Sequence, residues 1–171
     1  MNCDHCERPL LKKKATSSQP YLYTLAGLNN VFLSGIEVFY CSICKLESPT
    51  IPRIGELHRE IARVIVKKSS LLNGDELRFI RKNAGFPAKS FAALLGVNPS
   101  HLSRVENGKT ASLGKSSDSL ARLFAAAAIC GDNVKETLLN LGRKLAESHS
   151  KKGLKKKSVF VLKDRHWEKA A

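Results

Sequence analysis

Near the N-terminus, Tyr21-Leu22-Tyr23-Thr24-Leu25, Val31-Phe32-Leu33 and Ile36-Glu37-Val38-Phe39-Tyr40 are short apolar or alternating stretches rich in aromatic and β-branched residues. Turn signals at Leu28-Asn29-Asn30 and Ser34-Gly35 separate them, so the pattern predicts a small antiparallel sheet. Pro49-Thr50-Ile51-Pro52 closes this region, because two prolines in four residues resist regular structure. The period then changes. Ile54, Leu57, Ile61, Val64 and Ile65 recur at helical spacing from Pro52 to Lys68, with Arg53, Arg59, Arg63 and Lys67 on other faces, which predicts a linking helix that Ser69 and Ser70 end.

Asn73 with Glu76 three residues on resembles a capping box. The helix it opens holds Leu77, Ile80 and Ala84 inward and stops at Gly85. Pro87 to Leu95 reads as a second helix with Phe91, Ala92, Leu94 and Leu95 buried; Gly96 permits a sharp turn. Asn98-Pro99 supplies an N-cap and a first-turn proline for a third helix, Pro99 to Asn107, which turns Leu102 and Val105 inward. Two short helices joined by a glycine-containing turn are the signature of a helix-turn-helix, whose last helix enters the DNA major groove. Closing helices are expected at Ser117–Ile129 (Leu120, Leu123, Phe124, Ala127, Ala128) and at Val134–Ser148 (Leu138, Leu139, Leu141, Leu145), one of them a dimer face. The basic run Ser150-Lys-Lys-Gly-Leu-Lys-Lys-Lys follows; after it, Ser158-Val-Phe-Val-Leu162 can add a strand, with Trp167 as a further apolar contact.

The fold class expected is therefore α+β, with a β-rich domain over 1–50, a linking helix and spacer over 51–72, an all-α domain over 73–149 and a basic tail over 150–171. Hydrophobic residues make up 43% and charged ones 26% of the 171, enough to bury a core. No apolar run reaches the roughly 18 to 20 residues of a bilayer span, and Met1-Asn2-Cys3-Asp4 does not open a signal peptide, so a cytoplasmic location is expected.

Charge changes the picture more. The net charge is +14 with a pI near 9.8, which favours a polyanionic partner. It is unevenly placed: residues 1–50 carry +1, 51–110 carry +6, 111–149 carry +1 and 150–171 carry +6. Nucleic acid is thus expected to meet the middle and the tail.

Cys3, Cys6, Cys41 and Cys44 form two Cys-x-x-Cys pairs. A two-residue gap lets two thiolates converge on one ion from a tight turn, and two such turns complete a tetrahedral zinc site. The 34 residues between the pairs exceed the roughly 15 to 20 of common zinc ribbons, so the β-rich insert must bring the turns together. A redox role lacks the βαβ context it needs. Four thiolates leave no open coordination position, so the zinc is structural; His5 is not needed as a ligand, and Cys130 reads as a buried, inert thiol. The site's local charge of −2 turns this end away from DNA and toward a protein partner.

Phe86-Pro-Ala-Lys-Ser-Phe-Ala-Ala-Leu-Leu-Gly-Val-Asn-Pro-Ser-His-Leu-Ser-Arg-Val-Glu-Asn-Gly108 resembles the Cro/lambda-repressor (XRE) helix-turn-helix, whose pattern ends in Ser-Arg-x-Glu-Asn-Gly. Together with the two cysteine pairs and the β-rich insert, residues 1 to about 130 resemble the YgiT-type zinc-finger/helix-turn-helix family, which includes the MqsA-like antitoxins. The resemblance implies a homodimeric DNA-binding repressor that acts on its own operator and, in antitoxin members, engages a toxin through the zinc domain. Its base-reading positions correspond to Asn98, Ser100 and Arg104. Arg104 is the strong reader, since its fork matches guanine; Asn98 and Ser100 equally fit a role in starting the helix. His101 is adjacent, and Asn107, Lys109 and Lys89 fit phosphate contacts. Pro87 and Ala88 depart from the family's usual Ser or Thr followed by Gln. A helix-turn-helix regulator without a toxin is the alternative. RNA binding is weakened by the lack of stacking aromatics among the basic residues of 75–109, and an enzyme by the absence of a nucleophile motif or phosphate-cradling loop.

Overall fold

The structure, a computed structural model, describes residues 1–130 and 157–170. The expected helix at 134–148, the basic run 150–156 and the side chain of Cys130 lie outside the described residues. The chain divides into two compact units, one of residues 1–25, 29–57 and 155–171, the other of 26–28 and 58–154. Among the described residues no helix is long and apolar enough to cross a membrane.

The first unit contains two sheets rather than the single antiparallel sheet expected. Strands β1 (Leu11–Lys14), β4 (Glu37–Tyr40) and β5 (Glu47–Thr50) form an antiparallel sheet in the order β1-β4-β5. Strands β2 (Tyr21–Leu22), β3 (Val31–Ser34), β6 (Ser158–Lys163) and β7 (His166–Lys169) form the other, in that order. The turn at Ser34-Gly35 therefore carries the chain between sheets instead of closing a hairpin. Two strands escape the hydrophobic pattern. The lysine-rich β1 has no apolar alternation; Lys12 pairs with Glu37, Lys13 pairs with Glu47, and Lys13 lies over the Tyr40 ring, 5.2 Å from its centroid. Strand β5 includes Pro49 opposite Val38, in a segment expected to resist regular structure. It lies at a sheet edge, where a missing N–H need not interrupt a ladder.

The parallel pair β3–β6, with Leu33 opposite Phe160, joins residues more than a hundred positions apart. Residues 157–170, expected as the end of a basic tail, thus contribute a hairpin to this unit. Phe160 is fully buried and Trp167 nearly so, beside a core of Ala15, Tyr23, Val31, Leu33, Ile36 and Val38. The Trp167 indole N–H donates to the Pro52 carbonyl at 2.9 Å, and Arg53 donates to the Arg165 carbonyl at 2.9 Å. Those bonds hold the hairpin to the segment before the first helix.

Helices α1 (Ile54–Lys67), α2 (Gly74–Asn83), α3 (Ala88–Leu94), α4 (Pro99–Glu106) and α5 (Lys115–Ala125) follow, and a π turn at Ala126–Cys130 extends α5. From His58 onward they belong to the second unit, whose core includes Ile61, Ile65, Leu77, Phe79, Ile80, Phe91, Leu102 and Val105. Leu94 and Leu120, expected inside, are 44% and 37% exposed; α5 instead buries Ala121 and Ala125. The expected capping box is present: the Asn73 side chain accepts from the Glu76 N–H and Glu76 accepts from the Asn73 N–H, both at 2.9 Å.

Two buried ion pairs organise the helices. Arg122 pairs with Asp118 at 2.6 Å and donates to the carbonyls of Ile65, Val66, Lys68 and Ser70, while Asp118 accepts the Leu72 N–H at 2.7 Å. Carbonyls at and just beyond the last turn of α1, where helical N–H partners run out, thereby gain a donor; that of Ile65 also accepts the Lys68 N–H at 3.2 Å. Burying a charge is expensive unless it is paired and hydrogen-bonded, a condition this arrangement meets.

Candidate nucleic-acid interface and thiolate cluster

Helices α3 and α4 are joined by the turn expected from the sequence. Leu95 caps α3, Gly96 takes a φ of 64°, and the N–H groups of Gly96 and Val97 close onto Ala93 and Ala92 at 3.1 and 3.0 Å. Glycine suits this left-handed position because a Cβ there would be strained. The Asn98 side chain accepts from the Ser100 N–H at 2.8 Å and Pro99 opens α4. Residues 77–125 match the Helix-turn-helix family model. The matched span runs from α2 through α5. No curated protein and no solved structure matches the chain.

The last helix of this helix-turn-helix is fixed from below by α2. Arg81 forms a two-pronged ion pair with Glu106, Nε to Oε1 at 2.6 Å and a terminal nitrogen to Oε2 at 2.8 Å, and gives its other nitrogen to the Phe86 carbonyl at 2.9 Å. The Glu106 carboxylate raises the Arg81 pKa. Arg78 donates to the Glu106 carbonyl and to the Asn107 side chain, each at 2.6 Å. At the first turn of α2, a Cβ on Gly74 would stand 2.1 Å from the Val105 carbonyl oxygen. Nothing larger than glycine fits unless one helix moves.

These contacts also decide the surface charge. Of the four acidic residues in 73–130, Glu76, Glu106 and Asp118 are buried and paired with Lys68, Arg81 and Arg122. Only Asp75 remains to offset the exposed Lys82, Lys89, Arg104, Lys109 and Lys115. The helix-turn-helix surface is therefore basic, as duplex binding requires, and the family match supports a DNA-binding transcription regulator.

The residues expected to touch DNA separate into two groups. Ser100, Arg104, Lys109 and Lys89 are exposed and His101 is half-buried; none has a side-chain hydrogen bond or ion pair among the described residues. Asn98 and Asn107 are also exposed, but each caps an end of α4. Asn107 donates to the Ser103 carbonyl at 2.8 Å and accepts from Arg78. Arg78 and Ser103 carry no mark of this role in the sequence. No periodicity marks Arg78, because its partner Asn107 lies 29 residues away.

In the other unit, the folded insert brings the two cysteine turns together. The Sγ atoms of Cys3, Cys6, Cys41 and Cys44 all lie within 4.8 Å of one another, and Cys6 and Cys41 approach to 3.5 Å. A tetrahedron of about 2.3 Å metal–sulfur bonds needs sulfurs about 3.8 Å apart, so the four soft donors are gathered near the spacing at which they could hold a metal ion. Each turn repeats one hydrogen-bond pattern. Cys3 N–H meets the Arg8 carbonyl and Glu7 N–H the Cys3 carbonyl, both at 2.8 Å; Cys41 and Leu46, then Lys45 and Cys41, do the same at 2.9 and 3.0 Å. Glu7 and Lys45 both adopt a φ of 58°, a strain of roughly 1–2 kcal/mol for a side-chain-bearing residue. No glycine or asparagine marks either position in the sequence.

The backbone N–H of Cys44 donates to the Cys41 sulfur at 3.4 Å and is the main reason the Cys41 thiol is lowered to about 6. Cys44 is raised to about 12, first by its hydrogen bond with Cys6. The Nδ1 of His5 lies 3.4 Å from the Cys44 sulfur, as a hydrogen-bonding neighbour outside the four-sulfur group.

Proposed function

We propose that the chain is a cytoplasmic, sequence-specific transcriptional regulator that binds duplex DNA as a homodimer and carries a structural zinc on Cys3, Cys6, Cys41 and Cys44. The observation that carries the DNA-binding reading is the removal of three carboxylates into buried pairs, which leaves α4 on a basic surface with Arg104 exposed and unpaired among the described residues. Arg104 reads a guanine edge; Ser100 and His101 make the weaker neighbouring contacts, and Lys89 and Lys109 hold phosphates. Asn98 and Asn107 act by fixing the two ends of α4. Zinc is supported by the convergence of four thiolates, which suit its tetrahedral preference and leave no position for catalysis, so no enzymatic role is assigned.

The layout of cysteine pairs, β-rich insert and helix-turn-helix supports a narrower reading, an antitoxin that represses its own operon and engages a toxin through the thiolate-bearing unit. A regulator of the same mechanism without a toxin is the alternative; co-purification of a small partner encoded beside it discriminates the two. Binding of the zinc-loaded protein to its own upstream DNA, against a scrambled duplex at about 150 mM salt, tests the common core. Arg104→Ala is expected to weaken specific binding by about 1–3 kcal/mol and leave nonspecific binding nearly unchanged. Equal losses on both duplexes would make Arg104 a phosphate contact.

A further inference from the structure

The two cysteine turns share a backbone pattern but not a set of side chains. Their third positions are His5 and Ile43, so one turn carries an imidazole where the other carries a hydrocarbon. That imidazole reaches the opposite turn, with its Nδ1 3.4 Å from the sulfur of Cys44. The Cys41 sulfur draws a donor from the backbone instead, the Cys44 N–H at 3.4 Å. The sulfurs also differ in access: Cys3 and Cys41 are buried, whereas Cys6 and Cys44 are half-buried and His5 itself is exposed. A competing chelator or thiol reagent therefore meets Cys6 or Cys44 first, and Cys44 is the one that His5 touches. A metal-bound thiolate has no proton and can only accept, so Nδ1 must then carry the proton of this bond. Such a bond draws electron density from the sulfur without filling a coordination position. Hydrogen bonds to metal ligands orient them and tune the metal, and their loss typically costs about 10- to 100-fold in affinity.

We propose that His5 is a positioning residue for the metal site: its Nδ1–H donates to the Cys44 thiolate and so retains the metal at one of the two accessible sulfurs. The inference rests on the zinc reading of the four cysteines and adds a residue that the ligand set does not contain.

Cobalt(II) substituted for zinc in the full chain gives the site a thiolate-to-metal charge-transfer band, which reports the electron density on the sulfurs. His5→Ala is expected to shift that band to longer wavelength, because a sulfur that loses a hydrogen-bond donor gives up its electrons more easily. In competition with a chromogenic chelator the same variant should bind zinc about 10- to 100-fold more weakly. His5→Asn, whose amide nitrogen occupies a place on the side chain similar to that of Nδ1, should restore most of both. His5→Phe can cover the sulfur but has no donor, and should behave as His5→Ala does. Ile43→Ala, at the equivalent exposed position of the other turn, should match the parent in both readouts. Spectra are taken at saturating cobalt, so a fold that is merely less stable does not move the band. A parent that takes up no metal overturns the zinc reading and this proposal with it. A metal-loaded parent whose His5→Ala variant keeps band and affinity overturns this proposal alone. So does a charge-transfer intensity that rises in His5→Ala, which would make His5 a ligand in place of a cysteine.

Discussion

The two units are built by opposite strategies. In the helical unit the elements are set locally: Asn73 and Glu76 cap α2, Asn98 caps α4 through Ser100, and Gly96 makes the turn. The sheet unit is assembled from distant pieces. Its parallel pair joins Leu33 to Phe160, and its thiolates come from turns that the whole insert separates. Local elements form with little loop-closure entropy, whereas nonlocal pairing must be stabilised after the chain ends have met. With the proposed zinc, the sheet unit depends on its cysteines and on the C-terminal hairpin, while the helical unit depends on capping and two buried ion pairs.

The largest effect that sharpens this contrast is expected from Cys41→Ser. Structural zinc supplies roughly 10–16 kcal/mol of apparent binding free energy in small domains, at or above the roughly 5–15 kcal/mol by which typical domains are folded. Calorimetry and metal analysis should therefore show loss of stoichiometric zinc and of the sheet unit's transition, with the helical transition kept. Retention of zinc and an unchanged melt would remove the four-thiolate assignment and the contrast with it. Phe160→Ala comes next, at about 3–5 kcal/mol for truncating a fully buried aromatic. Its penalty should fall on the sheet transition and on zinc affinity. A shift of the helical transition alone would place the hairpin's energetic role in the wrong unit.

The same contrast explains what could be read from the amino acids. Each of α1 to α5 follows from capping residues, glycines and period, to within a few residues, and the four cysteines identify their own cluster by spacing alone. Strand β1 could not be found, because Leu-Lys-Lys-Lys presents no apolar face; its partners Glu37 and Glu47 are remote. The hairpin at 158–169 showed a strand-like sequence, but nothing in it names β3 as its neighbour. The proposed DNA-contacting surface shows the same division. Arg104 and Ser100 are legible from the motif, whereas the engagement of Asn107 by Arg78 and the pairing of Arg81 with Glu106 link helices 25 to 29 residues apart. Leu94 and Leu120 are outside because period alone does not reveal which part of an apolar stripe meets a neighbour.

The smallest effects come from one substitution made twice. Gly55 and Gly74 both lie in the first turn of a helix, where alanine ordinarily stabilises by about 0.4–1 kcal/mol. A Cβ at Gly55 would meet nothing within 4 Å, so Gly55→Ala should raise stability by that amount in urea denaturation. At Gly74 the added carbon would lie 2.1 Å from the Val105 carbonyl oxygen and 3.2 Å from the Glu106 carbonyl carbon, backbone atoms that no rotamer change can withdraw. Overpacking of this kind costs about 1–3 kcal/mol, which outweighs the helix-propensity gain. Gly74→Ala should therefore lower the helical transition. Because the strain falls on the C-terminal end of α4, specific DNA binding should weaken even at temperatures where the protein remains folded. Equal and positive stability changes at both glycines would mean that α2 and α4 are not in backbone contact, and the helix that presents Arg104 would then be held by its buried Leu102 and Val105 and by the side chains of Arg78 and Arg81.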